Sequence, residues 1–505
     1  MSKLSSLVSL IKSFTKAEKK KISSFLTQEN KTDYAFLYKI IDSNTAYSLT
    51  QIKDEFLKKR PDTAFNTSVN YLFDSLLSIL NQLRTGQDSF YALFNQLMNV
   101  KVLYEKSIYQ ECFQLLTKIQ NEAVKYENFT ILLIAQKMEL DYLQSLDFPN
   151  LSEQELLNKQ FKINDTLKKI RKINEHASLY ELLKHRILHK GPVRSNKQKQ
   201  EMNDLVVSEM SIVSSSGFEN FEIQKNHKLF QSNYLINVGD YKSAINSYYE
   251  LNTIFEHNMH LLSNPPMYYL NTIEGVLGSL RTIRNYEGMT YFIDQLSKLE
   301  TSSVHFKYQI DCVIFLYSLL PLIDTGEFAK AIKLMDENKE RIIDKTDLLS
   351  TEKQIQLLLY TAIVYLGTEE PNKARKIITR ITQTERKVFS LPLFRTIRLV
   401  NLMVLYELKE FDFMDFEIRS VKREIQNNEK SYQLEQIIIK FISKTPDELS
   451  EQKRLLVWQK LKPQLDEMQN DKFEMQLLQV FNFTAWIESK VFKVPLYKIL
   501  KKKLK

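Results

Sequence analysis

Leu235-Ile-Asn-Val-Gly239-Asp-Tyr241-Lys-Ser-Ala244-Ile-Asn-Ser-Tyr248 and Leu322-Ile-Asp-Thr-Gly326-Glu-Phe328-Ala-Lys-Ala331-Ile-Lys-Leu-Met335 are two copies of one pattern. Working outward from them, the same pattern is anchored on Tyr109, Tyr286 and Phe411, and on Pro371, where proline replaces the aromatic residue. Three columns align across the six copies. Six residues before the anchor stands Leu103, Leu235, Leu280, Leu322, Tyr365 or Leu405; three after it Cys112, Ala244, Met289, Ala331, Ala374 or Met414; seven after it Leu116, Tyr248, Ile293, Met335, Ile378 or Ile418. The second and third columns fall on one face of a helix, because residues four apart are neighbours on a helical surface. The first column belongs to a preceding helix, ended by a turn such as Asn237-Val-Gly-Asp240 or Asp324-Thr-Gly-Glu327. The unit is a helical hairpin.

Anchors from Tyr241 to Phe411 lie 45, 42, 43 and 40 residues apart, and the 132 residues from Tyr109 to Tyr241 make three such periods. Two weaker units therefore belong between them, with turns near Phe148-Pro149 and Gly191-Pro192. About eight hairpins repeating at a fixed period mark a solenoid, in which each hairpin buries its apolar stripe against its neighbours. Composition agrees with an all-α fold. The 505 residues include only 9 Gly and 11 Pro, too few for the many turns of a sandwich, barrel or Rossmann fold.

The motifs Gly239-Asp-Tyr-Lys-Ser-Ala244 and Gly326-Glu-Phe-Ala-Lys-Ala331 resemble tetratricopeptide repeats, in which a small residue on the second helix allows close packing on the first. The resemblance covers roughly residues 90–430 and implies a right-handed superhelix of helical hairpins. The chain departs from that family in its longer period, against about 34 residues, and in lacking the Trp-Leu-Gly signature of the first helix. The opening Phe14-Thr-Lys-Ala-Glu-Lys-Lys20 and the late Phe483-Thr-Ala-Trp-Ile-Glu-Ser-Lys490 are similar to a group of uncharacterised proteins of comparable length from Bacteroidota-type bacteria. That likeness implies a shared architecture and carries no activity.

Residues 1–85 show no such period. Thr15-Lys-Ala-Glu18 and Ser48-Leu-Thr-Gln51 are capping boxes before Lys19–Leu26 and Ile52–Lys59, and Asp62 is placed to cap a long helix carrying Phe65, Val69, Leu72, Phe73, Leu76, Leu77 and Leu80. With Tyr34–Asp42 these make a four-helix N-terminal domain of winged-helix or helix-turn-helix type. Residues 86–445 are read as the repeats. Residues 446–505 are read as capping helices and a basic tail, with Asp471–Lys490 as a last apolar helix covering the final hairpin and Lys498–Lys505 solvated.

The +9 net charge is concentrated at the ends: +5 over residues 1–85 and +7 over residues 489–505, leaving −3 between them. Such ends attract anionic partners, yet Lys-rich helical faces are commonly just solvated. A nucleic-acid reading rests on the head. Thr50, Gln51 and Lys53 would start a recognition helix that reads base edges, and Lys16, Lys19, Lys20 and Lys21 would meet phosphates. Against it, the connection Ser43–Tyr47 is longer than the usual helix-turn-helix turn.

Chemistry is scarce. The chain has no Gly-rich phosphate loop, no His-Glu-x-x-His and no Gly-x-Ser-x-Gly, so no catalytic residue, metal ligand or cofactor is assigned. Glu181, His185 and His189, with His176 upstream, have metal-ligand spacing, but the basic residues around them repel a cation. His257 and His260 form a similar pair. Cys112 and Cys312 sit in apolar helical contexts and read as buried rather than nucleophilic, in a reducing compartment. Tyr241, Tyr286, Phe328 and Phe411 read as turn and core packing rather than a base-stacking row. The start of the chain lacks a signal-peptide pattern, and the longest apolar run, Val313–Ile323, falls short of the roughly 20 residues that cross a bilayer. The expectation is a non-enzymatic cytoplasmic scaffold whose concave face binds a protein or peptide. The alternative is a transcriptional regulator with a DNA-binding head and a ligand-sensing solenoid.

Overall fold

The structure, a computed structural model, describes residues 3–28, 33–44, 47–61, 64–85, 89–190, 193, 195–215, 220–262, 266–301, 303–383, 393–427, 433–444, 450–468 and 474–503. Among these residues every regular element is a helix. By its contacts the chain divides into two compact units. One comprises Met1–Lys172 with Met259–Pro265 and Glu300–Lys307; the other comprises Ile173–Asn258 with Pro266–Leu299 and Tyr308–Lys505.

The first unit opens with α1 (Lys3–Lys12), α2 (Lys16–Gln28), α3 (Asp33–Ser43), α4 (Leu49–Lys59) and α5 (Phe65–Arg84), which share one core built on Leu7, Ile22, Leu37, Phe56, Leu72 and Leu76. Five helices stand where caps and spacing predicted four. The addition is α1, whose Leu7, Val8 and Ile11 are buried against that core despite the serines between them. Both capping boxes form: Thr15 and Glu18 exchange hydrogen bonds at 2.7 and 3.1 Å, and Ser48 and Gln51 at 2.8 and 3.3 Å. The expected cap Asp62 lies outside the described residues, and Ala64, at the N-cap of α5, supplies no side-chain bond.

The unit continues with α6 (Ser89–Glu105), α7 (Tyr109–Lys125), α8 (Phe129–Ser145) and α9 (Glu153–Lys190). Glu139 on α8 ties this series together, accepting from Gln120 of α7 at 2.9 Å and from Lys159 of α9 at 2.7 Å. At 38 residues α9 is about twice the length of the 17-residue α8, and its first half completes the hairpin begun by α8. The expected turn near Gly191-Pro192 falls on residues outside those described.

In the second unit the end of α9 meets α10 (Asn196–Gln200) and α11 (Asn203–Ser215), with Arg186 gripping Asp204 by two bonds of 2.7 and 2.5 Å. Hairpins then follow in series: α12 (Phe221–Asn237) with α13 (Tyr241–His257), α14 (Met267–Thr282) with α15 (Tyr286–Ser297), α16 (Val304–Asp324) with α17 (Phe328–Glu337), α18 (Thr351–Gly367) with α19 (Pro371–Thr382), α20 (Phe394–Glu407) with α21 (Phe411–Asn427), and α22 (Gln433–Lys444) with α23 (Glu451–Met468). The chain closes with α24 (Met475–Leu478), α25 (Phe483–Phe492) and α26 (Leu496–Lys503). The architecture is an all-α helical-repeat solenoid.

One backbone motif explains the sequence columns. In all six copies the residue two before the anchor adopts a left-handed conformation: Ser107, Gly239, Arg284, Gly326, Glu369 and Lys409, with φ between 57° and 77°. The next residue donates its N–H to the carbonyl of the first column, as in Asp240 to Leu235 and Glu327 to Leu322, at 2.8 to 3.0 Å throughout. The left-handed residue donates its own N–H to the carbonyl three before it. This is the Schellman ending, which satisfies carbonyls that a helix terminus otherwise leaves exposed. Asp147 and Phe148 end α8 in the same way, at the first of the two weaker turns.

Four of the six left-handed residues are not glycine, a backbone state costing roughly 1 to 2 kcal/mol for an L side chain. Exposed Glu369 is therefore expected to gain about 0.5 to 1 kcal/mol on Glu369→Gly, read as a rise in the thermal midpoint; a fall would mean that the turn is not left-handed.

The small-residue column is buried throughout: Cys112, Ala244, Met289, Ala331, Ala374 and Met414. The third column is buried except at half-buried Ile293. Close helix approach leaves no room at Ala331, so Ala331→Phe should cost roughly 1 to 3 kcal/mol. An unchanged thermal midpoint would show the register to be wrong.

Counting an uninterrupted run underrated α16. Its Val304–Asp324 span is the one helix, among the described residues, long and apolar enough to cross a membrane. Some 61% of its apolar window is buried inside the fold, the environment of a core helix.

Candidate functional site

The C-terminal segment does more than cover the last hairpin. Its helix α25 packs on α22 and α23, and the segment also runs back over the turns inside earlier hairpins. Trp486 Nε1 donates to Glu407 at 2.8 Å and Lys490 reaches the same carboxylate at 2.7 Å. Tyr241 and Gln479 line one cleft together, and the backbone of Tyr497 lies against Gly326. A Cβ at Gly326 would sit 2.9 Å from the Tyr497 carbonyl oxygen, so the close approach as well as the positive φ calls for glycine there.

The expected solvation of the tail needs correction. Leu496, Ile499 and Leu500 are buried, and Lys503 bonds Thr484 at 3.0 Å and Glu488 at 2.6 Å; only Lys498, Lys501 and Lys502 point to solvent, while residues 504–505 lie outside the described set. Asp471–Phe473, the expected start of the last helix, also lie outside it. Helix α24 ends at Leu478, and Asn482 restarts the chain by capping α25 through the Ala485 N–H.

Between the segment and the turns is a cleft of about 710 Å³, centred on Arg281. Arg281 donates two bonds of 2.8 Å to Asp324, one of 3.0 Å to the Tyr360 hydroxyl and one of 3.4 Å to the carbonyl of Val480, with its guanidinium carbon 5.3 Å from the centroid of the Tyr360 ring. Burial opposes its charge, but Tyr360 and Asp324 outweigh that penalty and hold the guanidinium more firmly protonated than a free one. Tyr286 donates to Asp324 at 3.4 Å; burial and then the carboxylate keep its phenol protonated. Arg281 with Asp324 and Lys503 with Glu488 are paired as in a structural clasp, while Arg284, also in the lining, donates to the Lys503 carbonyl at 3.2 Å.

The sequence-derived nucleic-acid residues are distributed as follows. Lys16, Lys20, Lys21, Thr50, Gln51 and Lys53 are exposed, whereas Lys19 pairs with Asp42 of α3 at 2.5 Å. The side chains of Thr50 and Gln51 are engaged with Ser48 in the cap. Helices α2 and α4 both pack on α5.

His185 and His189 lie side by side with ring centroids 4.2 Å apart and planes tilted by 41°. His176 is not in their group: nine residues before His185 is about two and a half turns, which places it on the opposite face. It is buried against His227, whose ring pairs with buried Glu209. This three-helix cluster was missed because its members lie on α9, α11 and α12. Among the described residues no three His, Cys, Asp or Glu converge as metal ligands. Both cysteines are buried, and burial pushes Cys312 up to about 11.

Burial, followed by the neighbouring His227, lowers the His176 pKa, so the folded state favours the neutral ring. The unfolded chain takes up that proton first. The stabilising contribution is therefore present above the unfolded value of about 6.5 and is lost as pH falls towards the folded pKa. His176→Leu should flatten the fall in thermal midpoint between about pH 6.5 and 5. An unchanged pH profile would place the ring in water.

The class defined by this geometry is a helical-repeat solenoid with its C-terminal segment folded into the second unit. No family model, curated protein or solved structure matches the chain.

Proposed function

We propose that the protein is a non-enzymatic cytoplasmic scaffold that holds a protein or peptide on the face formed by its first helices, in a tetratricopeptide-like manner. Residues 1–85 would serve as its head, 86–445 as the binding repeats and 446–505 as the closing segment. The observation that carries this reading is the serial order of α14, α16 and α18. These three first helices border a shared recess rimmed by Asn271, Gln309, Ser350 and Gln356. Stacked hairpins present such a surface without any catalytic group. The test is capture of partners by the full chain, followed by hydrogen exchange of the complex. Protection on α14, α16 and α18 supports the reading, and protection confined to other helices contradicts it.

The second reading, a regulator with a DNA-binding head, is favoured by the exposed Lys16, Lys20, Lys21 and Lys53. Binding of the full chain to duplex DNA with a steep salt dependence, weakened by joint Lys16→Gln, Lys20→Gln and Lys21→Gln, would select it. Salt-independent or absent binding removes it.

A further inference from the structure

The recess between α14, α16 and α18 has a volume of about 230 Å³. Its floor is apolar: Leu270, Cys312, Val313, Leu316 and Leu357 are all buried. An engineered apolar cavity of about 150 Å³ holds benzene, so this one has room for a leucine, methionine or phenylalanine side chain. The wall carries one ion pair, Glu274 with Lys353, joining α14 to α18. Because those charges neutralise each other, neither an anionic nor a cationic head-group is selected. Asn271 and Gln356 stand on the rim, and each carboxamide offers a donor and an acceptor, the complement of a peptide group's C=O and N–H.

We infer that this recess is a socket for one uncharged apolar side chain of a bound peptide, with Asn271 and Gln356 hydrogen-bonding the peptide groups on either side of it. The inference rests on the scaffold reading and adds what the scaffold recognises: an apolar anchor flanked by amides, rather than a charged terminus or a free metabolite. Affinity would come from burying the anchor, and selectivity from the amides and from the absence of net charge at the wall.

Cys312 in the floor is a built-in reporter. Its raised pKa makes alkylation by iodoacetamide slow but measurable at pH 9 in the full chain, with buried Cys112 as the internal reference. N-acetyl-phenylalaninamide and N-acetyl-leucinamide are expected to slow alkylation of Cys312 at millimolar concentration and to leave Cys112 unchanged. Toluene and free phenylalanine should protect about fivefold less, since they lack the two amide bonds or bring charges to the rim. No protection by the capped residues overturns the inference. Equal protection by toluene also overturns it, because the recess would then be a general apolar cavity.

Val313→Trp, which fills the recess, should abolish the protection. If that variant does not fold, the wild-type comparison of capped residue against toluene decides alone. Partner capture separates this inference from the scaffold reading. Capture that persists in folded Val313→Trp overturns the socket, whereas protection of Cys312 in a chain that captures no peptide or protein overturns the scaffold.

Discussion

Deleting residues 475–503 is expected to leave a chain that no longer folds to a soluble second unit. The deletion removes Phe481, Phe483, Trp486, Ile487, Val491 and Leu500, each at most 2% exposed. Burying one large apolar side chain is worth roughly 1.5 to 3 kcal/mol. Six such side chains approach or exceed the roughly 5 to 15 kcal/mol by which a whole domain is stable. The deletion also uncovers surfaces on α20, α22 and α23 and leaves Glu407 without the indole and ammonium that now satisfy it. Low soluble yield and strong binding of a hydrophobic dye are the expected readouts. A soluble truncated chain with the full-length thermal midpoint would mean that the segment is an appendage. Stopping at Val491 is the milder cut, but it still removes buried Leu496, Ile499 and Leu500, so a lowered midpoint is expected there too.

Asp324→Ala should cost about 3 to 5 kcal/mol, the usual penalty for leaving a buried charge without its partner. Arg281 would keep its Tyr360 contact but lose both 2.8 Å bonds to the carboxylate, inside a site that water reaches poorly. Removing both charges is expected to hurt less than removing one. In the pair Arg281→Met with Asp324→Leu, no uncompensated ion remains and the space is refilled. Urea unfolding of the two single variants and the double variant measures this directly. If Asp324→Ala costs under about 1 kcal/mol, the pair is solvated and the clasp is only apparent.

The hairpin series was legible because each copy solves the same local problem. A first helix must stop, satisfy its last carbonyls and reverse, and the Schellman ending fixes the spacing between Leu235 and Asp240 as it does between Leu405 and Glu410. That spacing survives even where Ser107, Arg284, Glu369 and Lys409 stand in place of the glycine found at 239 and 326. For this reason the columns were more reliable than the glycine signal. The burial of Ala244 and Ala331 was legible for a related reason, since close helix approach is a local requirement of every unit.

The path of the C-terminal segment was not legible. Its contacts join residues 79, 199 and 219 apart in sequence, namely Glu407 with Trp486, Arg281 with Val480 and Arg284 with Lys503. No periodicity records such pairings. Its excess of apolar residues pointed to the final hairpin, on which α25 does pack, but not to the earlier turns. The Arg281 clasp was hidden in the same way, because a lone Arg near a helix end looks like any solvated surface charge until Asp324 and Tyr360 are placed beside it. The tail lysines misled by composition, for Lys503 finds Glu488 only through the fold.

The hairpin register itself is tested most directly by hydrogen exchange resolved to single amides in the full chain. The N–H groups of Ile108, Asp240, Asn285, Glu327, Glu370 and Glu410, each donating to the carbonyl five residues earlier, lie at turns, where an open loop would exchange at the rate of an unstructured peptide. The expected result is that all six are protected to a degree comparable with the ends of the helices they terminate. Exchange of these six at the unstructured rate, with mid-helix amides protected, would contradict the repeat of terminated helical hairpins on which the fold and the proposed binding face both depend.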